Sequence, residues 1–189
     1  MRIGVCGGTF DPFHRGHLEP ILAVRRTLGW DRILYIPAAR QPFKSRQVSA
    51  SGYHRFAMAQ LATREQEDVW VTPMELERSG TSYTVDTLNE LHRRYEGVEF
   101  DWIIGDDNVA DFDRWKEPQR LLSLARFVVL TRSGAQPDSR FTYAKNDVVS
   151  VSSTEIRRRV RAGEPIDAFV DPLVSRYIHH NALYKEDQT

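Results

Sequence analysis

The 189-residue sequence contains a single cysteine, Cys6, which excludes an intrachain disulfide. So little cysteine is typical of a reducing compartment, and we expect a cytoplasmic protein. Cys6 lies in the apolar run that begins the chain, where a buried structural thiol is the expected role. No apolar stretch approaches the ~20 residues that a membrane span needs, and the amino terminus is too short and glycine-rich for a signal peptide. We therefore expect no membrane association.

The sequence also lacks net charge, because 26 lysine and arginine residues balance 26 aspartate and glutamate residues. Such a chain has no general electrostatic attraction to nucleic acids or anionic membranes, so neither is an expected partner. Any chemistry on phosphate groups must come from basic side chains placed locally. The length suits one domain, and we expect residues 1–189 to form it.

Short apolar runs alternate with helical patterns along the chain. The predicted strands cover residues 2–6, 32–37, 69–72, 100–105, 126–131 and 148–151. The predicted helices cover residues 17–28, 53–63, 85–91, 152–162 and 172–181. This alternation favours right-handed βαβ units, so we expect an α/β fold with a doubly wound, mostly parallel, Rossmann-like sheet. Ligands bind such sheets beyond the carboxyl ends of the strands.

Four residues mark helix ends in these patterns. Ser51 and Thr84 are predicted to cap the amino ends of the second and third helices. Gly29 is predicted to end the first helix. Pro20 is expected to lie in the first turn of that helix, where proline is tolerated.

The loop after the first strand carries the most informative segment, Gly7-Gly8-Thr9-Phe10-Asp11-Pro12-Phe13-His14-Arg15-Gly16-His17-Leu18. Two glycines at a strand end let the backbone approach a ligand, and the helix start that follows favours anions. His14 and His17 lie on one side of a helical turn, where both can donate hydrogen bonds to one phosphoryl group. Two histidines also suit zinc, but no third ligand is near. Capping of the helix is the simplest structural alternative.

A second segment of this kind is Val151-Ser152-Ser153-Thr154-Glu155-Ile156-Arg157. Ser152 and Glu155 fit a capping box, which explains the segment by structure alone. The hydroxyl and N–H groups of residues 152–154, with Arg157 one turn later, also form an anion site. Two such helix starts in one chain suit a triphosphate. The neighbouring arginines, Arg158, Arg159 and Arg161, are expected to form a solvated face.

The first segment resembles the signature of the nucleotidyltransferase superfamily that contains the nicotinate-mononucleotide adenylyltransferases. Its Thr/His-x-Gly-His element is shared with pantetheine-phosphate adenylyltransferases and cytidylyltransferases, and also resembles the His-x-Gly-His element of class I aminoacyl-tRNA synthetases. The second segment resembles Ile-Ser-Ser-Thr-x-Ile-Arg of the same family, with Val151 in place of the isoleucine. In that family the second signature contacts the phosphates of ATP.

Three further segments resemble the bacterial nicotinate-mononucleotide branch. Residues 37–44 resemble its Pro-x-x-x-x-Pro-His-Lys loop, with Phe43 in place of the histidine and Lys44 retained for a phosphate, although a solvent lysine is the simpler alternative. Residues 82–88 resemble its Ser-Tyr-Thr-x-Asp-Thr-Leu segment. Residues 104–108, followed by Trp115, resemble its Gly-x-Asp and tryptophan elements.

The resemblance implies transfer of AMP from ATP to nicotinate mononucleotide, giving deamido-NAD and pyrophosphate, with Mg²⁺ carried by ATP and no metal site in the protein. The implied catalytic residues are His14, His17 and Arg157. The implied ATP-binding residues are Gly7, Gly8, Thr9, Phe10, His17, Gly105, Asp107, Ser152, Ser153, Thr154 and Arg157. The implied acceptor-binding residues are Thr9, Lys44, Tyr83, Thr84 and Trp115.

The implied acceptor contacts separate the acid from the amide. Backbone N–H groups near Tyr83 and Thr84 would bind the nicotinate carboxylate, because a helix start favours an anion. Trp115 offers a face on which a pyridine ring can stack, but packing on the core is an alternative. The other tryptophans, Trp30, Trp70 and Trp102, fit core or strand positions and receive no functional role.

Other functions remain open from sequence alone. They are adenylyl transfer to pantetheine phosphate or nicotinamide mononucleotide, a non-catalytic nucleotide sensor, and a tRNA synthetase fragment. The segments at Tyr83 and Trp115 weigh against pantetheine phosphate, and retention of both histidines weighs against a sensor. The neutral charge, short length and missing Lys-Met-Ser-Lys-Ser loop weigh against the synthetase.

Overall fold

A computed structural model of the chain describes residues 1–42, 50–131, 138–145, 149 and 151–185. Its six-stranded sheet has the order β3-β2-β1-β4-β5-β6. The strands are β1 Arg2–Gly8, β2 Arg32–Pro37, β3 Val69–Val71, β4 Glu99–Gly105, β5 Arg126–Thr131 and β6 Thr142–Lys145. Every pair of neighbouring strands is parallel, which confirms the predicted doubly wound α/β fold.

Helices connect these strands and follow the last one. They are α1 Arg15–Leu28, α2 Gly52–Thr63, α3 Thr84–Arg94, α4 Pro118–Leu124, α5 Ser153–Arg161 and α6 Pro172–His180. Short 3₁₀ helices, Asp106–Asn108 and Phe112–Arg114, follow β4. None of the helices in the described residues is long and apolar enough to cross a membrane.

Alternating side chains of the strands bury both faces of the sheet. In β2, Ile33 and Tyr35 belong to a core with α1, α2, α5 and α6, whereas Leu34 and Ile36 belong to a core with α3 and α4. The alternation follows from the twofold repeat of a strand, and the two cores explain why the strands read as continuous apolar runs.

Most predicted elements are confirmed within two residues, but three elements near the carboxyl half differ. The predicted strand at 148–151 is wrong: Val149 and Val151 are not in a strand, and residues 148 and 150 lie outside the described residues. The sixth strand is β6 instead, which pairs with β5 at the edge of the sheet. Helix α4 was not predicted, because its seven residues are too few to show a clear helical period.

Two of the predicted helix ends are also corrected. Pro20 lies inside α1 rather than in its first turn, because α1 begins at Arg15. The missing N–H of Pro20 removes the helical donor for the Gly16 carbonyl. The amino cap of α3 is Tyr83, and Thr84 is the first helical residue. The cap at Ser51 is confirmed, since its Oγ accepts from the His54 N–H at 3.3 Å.

The carboxyl ends of β1 and β4 form the point at which the strand order reverses. The chain leaves β1 for β2 on one side, and β4 continues to β5 on the other. The helices that follow these strands lie on opposite faces there, which opens a crevice above the sheet edge. The loop that carries His14 and the segment that carries Asp107 both begin at this edge.

Candidate functional site

A cleft of about 290 Å³ opens at this switch point. Its floor contains Gly7, Gly8 and Gly105, from the ends of β1 and β4. Its walls come from the first turns of α1 and α3 and from the segment around Trp115. The cleft therefore occupies the place at which doubly wound sheets bind ligands.

The spacing of His14, Gly16 and His17 has a steric cause. A Cβ on Gly16 would lie 2.9 Å from Val151 Cγ1 and 3.1 Å from His14 Nδ1. Both distances are shorter than ordinary van der Waals contact, so only glycine lets α1 approach the segment before α5. Gly16 is thus the point at which the two segments predicted to bind phosphate meet.

The protonated nitrogen of His17 is fixed by the helix start. The His14 N–H donates to His17 Nδ1 at 3.2 Å, so Nδ1 is an acceptor and a neutral ring carries its proton on Nε2. His17 is half-buried and lines the cleft. His14 is 6% exposed and stacks on His17 with ring centroids 3.6 Å apart. The two imidazoles thus lie together beside the cleft, with His17 as the one that lines it.

The loop between β1 and α1 is held by buried charged groups. Asp11 accepts from the Tyr184 hydroxyl at 2.7 Å and from the Ala50 N–H at 3.2 Å. Arg55 donates to the carbonyl oxygens of Thr9, Ala38 and Ala50, and burial lowers its pKa below the usual value. These contacts join the loop to α2 and to the carboxyl-terminal segment.

The segment at the start of α5 is joined to the same loop. Ser152 Oγ accepts from the Glu155 N–H at 3.2 Å, which confirms the predicted cap. Ser153 Oγ donates to the Pro12 carbonyl at 3.1 Å, and Arg157 Nη1 donates to the Asp11 carbonyl at 2.6 Å. The second segment therefore both starts a helix and supports the first.

The reciprocal half of the predicted capping box is absent from the described residues. The Glu155 carboxylate accepts from Arg158 and Arg159 instead. The bond from Arg158 lowers the pKa of Glu155 to about 2. As predicted for a solvated face, Arg158 and Arg161 are exposed. Arg159 differs, because it is half-buried with its guanidinium 4.8 Å from the centre of the Phe169 ring.

The opposite end of the cleft is formed by α3 and the segment around Trp115. Tyr83 and Thr84 line it at the start of α3, where the cap residue makes no side-chain hydrogen bond to the helix. Trp115 lines the cleft and also packs on Phe112, with ring centroids 5.6 Å apart. The side chain therefore contacts the core and also borders the cleft in which a pyridine ring was expected to stack. Lys116 Nζ lies 4.8 Å from the centre of the Tyr83 ring.

The predicted site residues divide into three groups. Those that line the cleft are Gly7, Gly8, His17, Tyr83, Thr84, Gly105 and Trp115. Those outside the lining of the described cleft are Thr9, Phe10, His14, Asp107, Ser152, Ser153, Thr154 and Arg157. Lys44, with its neighbour Phe43, lies outside the described residues.

Two members of the second group differ in place from what the pattern indicated. Phe10 is 3% exposed and packs edge-on against His17 and Tyr35, so its ring supports the histidine from the core. Asp107 is exposed and accepts from Asn108 Nδ2 at 2.9 Å, and it is Asn108 that lines the cleft.

Sequence reasoning missed several residues of the cleft. Trp102 was assigned only to the core, but it lines the cleft beneath Gly7, where a Cβ would lie 2.9 Å from its ring. Glu75 is 4% exposed and lines the cleft beside α3, and burial raises the pKa of its carboxyl. Lys116 also received no role. The sequence shows Glu75 only as a polar residue between a predicted strand and a predicted helix, which does not indicate that it is buried in the cleft.

Cys6 is a thiol with a raised pKa, and the described residues contain no cluster of metal ligands. Burial raises the pKa of the Cys6 thiol to about 12, so the sulfur stays protonated at neutral pH. In the described part of the chain, no three His, Cys, Asp or Glu side chains are grouped as ligands for a metal ion.

Comparison with known proteins finds relatives of one family that align with nearly the whole chain. Residues 5–159 match the cytidylyltransferase-like family model. A probable nicotinate-nucleotide adenylyltransferase from Roseiflexus sp. (strain RS-1) is 40% identical, covering 97% of this chain and 98% of the relative. A protein of the same description from Herpetosiphon aurantiacus is 36% identical with the same coverage.

Solved structures share the fold. The nicotinic acid mononucleotide adenylyltransferase of Plasmodium falciparum, complexed with NaAD, superposes with a TM-score of 0.77 at 21% identity and covers 97% of each chain. A putative nicotinate-nucleotide adenylyltransferase from Vibrio parahaemolyticus superposes with a TM-score of 0.72 at 18% identity. Because relatives at 36% and 40% identity align with almost the whole chain, the protein belongs to the nicotinate-nucleotide adenylyltransferase family of cytidylyltransferase-like nucleotidyltransferases.

Proposed function

We propose that this chain transfers AMP from magnesium-bound ATP to nicotinate mononucleotide, giving deamido-NAD and pyrophosphate. One observation carries the proposal: a single cleft is lined by His17 of the first signature and by Tyr83, Thr84 and Trp115 of the acceptor segments. His17 is more than 60 positions from each of the other three in the sequence. The full-length relatives support the nicotinate branch over pantetheine phosphate.

The reaction is a direct in-line transfer. An oxygen of the acceptor 5′-phosphate forms a bond to the α-phosphorus of ATP, and the bond from that phosphorus to the bridging oxygen of pyrophosphate breaks. No protein nucleophile takes part, in agreement with the protonated thiol of Cys6. Catalysis then depends on positioning and on charge stabilisation.

His17 is the group that meets the developing charge. Because Nδ1 accepts from the His14 N–H, a neutral His17 ring carries its proton on Nε2, from which it can donate to a phosphoryl oxygen. A donor fixed in place before the reaction stabilises the transition state without reorganisation. His14, stacked on it, lies beside the same phosphoryl group.

The nucleotide is held by two loops of the chain. Backbone groups of Gly7, Gly8, Thr9 and Phe10 and the start of α5, with Ser152, Ser153 and Thr154, form the phosphate site. Arg157 supplies the charge there, since its guanidinium already reaches the loop that carries Asp11. Gly105 and Asp107 contact the nucleoside part, and Lys44 binds a substrate phosphate.

The acceptor is recognised at the other end of the cleft. The start of α3 presents N–H groups that no side-chain cap occupies, and its dipole favours an anionic ring substituent. Trp115 provides the face on which the pyridine ring stacks. This arrangement favours the acid over the amide.

Magnesium enters as part of the nucleotide substrate, since hard oxygen ligands on the phosphates suit it. We place the protein in the cytoplasm on the basis of its single free cysteine and propose ATP and nicotinate mononucleotide, rather than nucleic acids or membranes, as its partners. We assign the whole activity to one domain of residues 1–189.

The test is a product analysis with purified protein, magnesium, ATP and nicotinate mononucleotide. We expect deamido-NAD and pyrophosphate in equal amounts, and no pyrophosphate when the acceptor is omitted. Nucleotide binding without pyrophosphate release would instead identify a non-catalytic sensor. Faster release with pantetheine phosphate would move the protein to that branch.

A further inference from the structure

Glu75 is a buried carboxyl at the acceptor end of the cleft that the proposed mechanism does not use. It lies between β3 and α3, is 4% exposed, and lines the cleft with Ser82, Tyr83 and Thr84. Buried carboxyls are rare unless they accept hydrogen bonds, so its partners indicate what it does.

The first partner of Glu75 is on α3. Thr87 is fully buried, and its hydroxyl donates to Glu75 Oε1 at 2.6 Å. Arg78 Nη2 donates to the same hydroxyl at 3.0 Å, so a lone pair of Thr87 Oγ1 is occupied. The one proton of this hydroxyl goes to the carboxylate at 2.6 Å in preference to the Tyr83 carbonyl at 3.3 Å, because the shorter contact is to a charged acceptor. Glu75 thereby fixes the first turn of α3, which carries the N–H groups near Thr84.

The second partner connects Glu75 with the loop after β2. The Ser82 side chain faces the carboxyl and lowers the pKa of Glu75. Its Oγ accepts from the N–H groups of Ala39 at 3.1 Å and Arg40 at 3.4 Å, and its own N–H donates to the Arg40 carbonyl at 2.8 Å. Because these amides occupy the oxygen, the single proton of Ser82 is directed to Glu75.

We propose that Glu75 is a specificity-determining positioning residue, which holds the first turn of α3 and residues 39–40 in the arrangement that prefers a carboxylate on the acceptor ring. The inference rests on the proposed function. Glu75 acts by accepting two hydroxyl protons and not by touching the acceptor. Removing its charge without removing its shape therefore disturbs the donors that recognise the acid.

Charge alone leads to the opposite expectation. A negative group near a site for an anion opposes binding, so its removal would strengthen use of the acid. The donors around Glu75 offset this term, because two hydroxyls and the nearby Arg78 face the carboxylate. The Glu90 carboxylate on α3 also faces this group. A fall in the acid-over-amide ratio in Glu75→Gln thus indicates positioning, whereas a rise indicates that the charge of Glu75 dominates.

The experiment measures kcat/KM for the acid and the amide mononucleotide in four variants. In Glu75→Gln the new NH₂ group meets a hydroxyl that also donates, and one mispaired buried donor should lower the acid-over-amide ratio by about tenfold or more, with KM for ATP unchanged. Glu90→Gln is the matched control, because Glu90 is on α3 with Thr87, accepts from the Arg78 that also bonds Thr87, and should leave the ratio unchanged. Thr87→Val removes the hydroxyl that donates to Glu75 and should lower the acid-over-amide ratio, whereas Thr87→Ser keeps the hydroxyl and should retain the wild-type ratio. This pair tests the role of Glu75 even if Glu75→Gln does not fold.

Two results overturn the inference while leaving the proposed function intact. One is a ratio that stays at the wild-type value in both Glu75→Gln and Thr87→Val while activity with the two acceptors falls equally. The other is a ratio that rises in Glu75→Gln. A wild-type enzyme that shows no preference for the acid contradicts the proposed function itself, and the inference with it.

Discussion

The contact at Gly16 allows the effect of one added methyl group to be worked out. The new Cβ in Gly16→Ala would lie 2.9 Å from Val151 Cγ1, 3.1 Å from His14 Nδ1 and 3.2 Å from His14 Cε1. Carbon atoms in contact sit ~3.5–4.0 Å apart, so α1 and the segment before α5 must separate by roughly 0.6–1 Å. That displacement separates the two segments proposed to bind phosphate and moves both histidines.

A displacement of about 1 Å at a catalytic group costs up to ~10²-fold in rate. We expect kcat/KM for ATP to fall about 10- to 100-fold in Gly16→Ala, with a stability loss of ~1–3 kcal/mol from overpacking. Steady-state assays at temperatures well below the unfolding midpoint separate the loss of activity from the loss of stability. Adding Val151→Ala removes the shorter contact and should recover part of the lost activity.

The same substitution at Gly97 is the control for stability. Gly97 has φ +70° and open space around its Cβ position, and it precedes β4 at the amino end of the strand, away from the cleft. Gly97→Ala should cost ~1–2 kcal/mol of stability because alanine is strained there, with activity unchanged. Full activity in Gly16→Ala, or an equal loss in Gly97→Ala, would refute the steric account of the His14-Gly16-His17 spacing.

Substitutions at three further residues test the assigned roles. In His17→Ala we expect turnover to fall about 10²–10³-fold, with ATP affinity by calorimetry little changed, because the donor acts on developing charge; near-normal turnover would remove His17 from the mechanism. Arg157→Ala should mainly raise KM for ATP, and Arg157→Lys should restore it only in part, since an ammonium lacks the planar fork. Unchanged kinetics in Arg157→Ala would leave α5 as a structural helix only. Trp115→Ala should weaken use of the acid and amide mononucleotides by similar factors, because stacking is nearly insensitive to the substituent; a loss confined to the acid would put the specificity on Trp115.

The interior of the sheet is the part of the fold that sequence predicts well. Strands β2 and β5 appear with their observed bounds, because strands buried on both faces read as unbroken apolar runs. Gly29 ends α1 as predicted, with φ +68° at the cap, since a left-handed residue there favours glycine. An apolar run and a glycine at a helix end are visible in a few neighbouring residues, so the sequence predicts buried strands and this helix end without knowledge of the fold.

The edge of the sheet and the inside of α1 are less predictable. Strand β6 has one exposed and three half-buried residues and pairs on one side only, so Thr142–Lys145 shows no apolar run. Proline usually breaks a helix, but Pro20 lies buried inside α1, one turn after the His17 carbonyl that accepts from the Tyr35 hydroxyl at 2.8 Å. Packing of this kind depends on a residue of another element and has no local signature.

The candidate site divides in the same way. His17 and Trp115 were found from motif segments, and the structure brings both to the cleft. Glu75 and Lys116 belong to no motif that sequence reasoning used, and their place becomes apparent only when α3 packs beside them. Contacts between segments far apart in the chain cannot be read from spacing.

The most direct test of the central claim is the ratio of kcat/KM for nicotinate mononucleotide over nicotinamide mononucleotide in the wild-type enzyme, measured by pyrophosphate release from ATP. In the proposed complex the start of α3, where Tyr83 provides no side-chain cap, would meet a carboxylate in the acid but an NH₂ group in the amide, and one mispaired donor costs ~1–3 kcal/mol. We therefore predict a ratio of about ten or more. A ratio near one, or release that requires neither mononucleotide, would contradict the account.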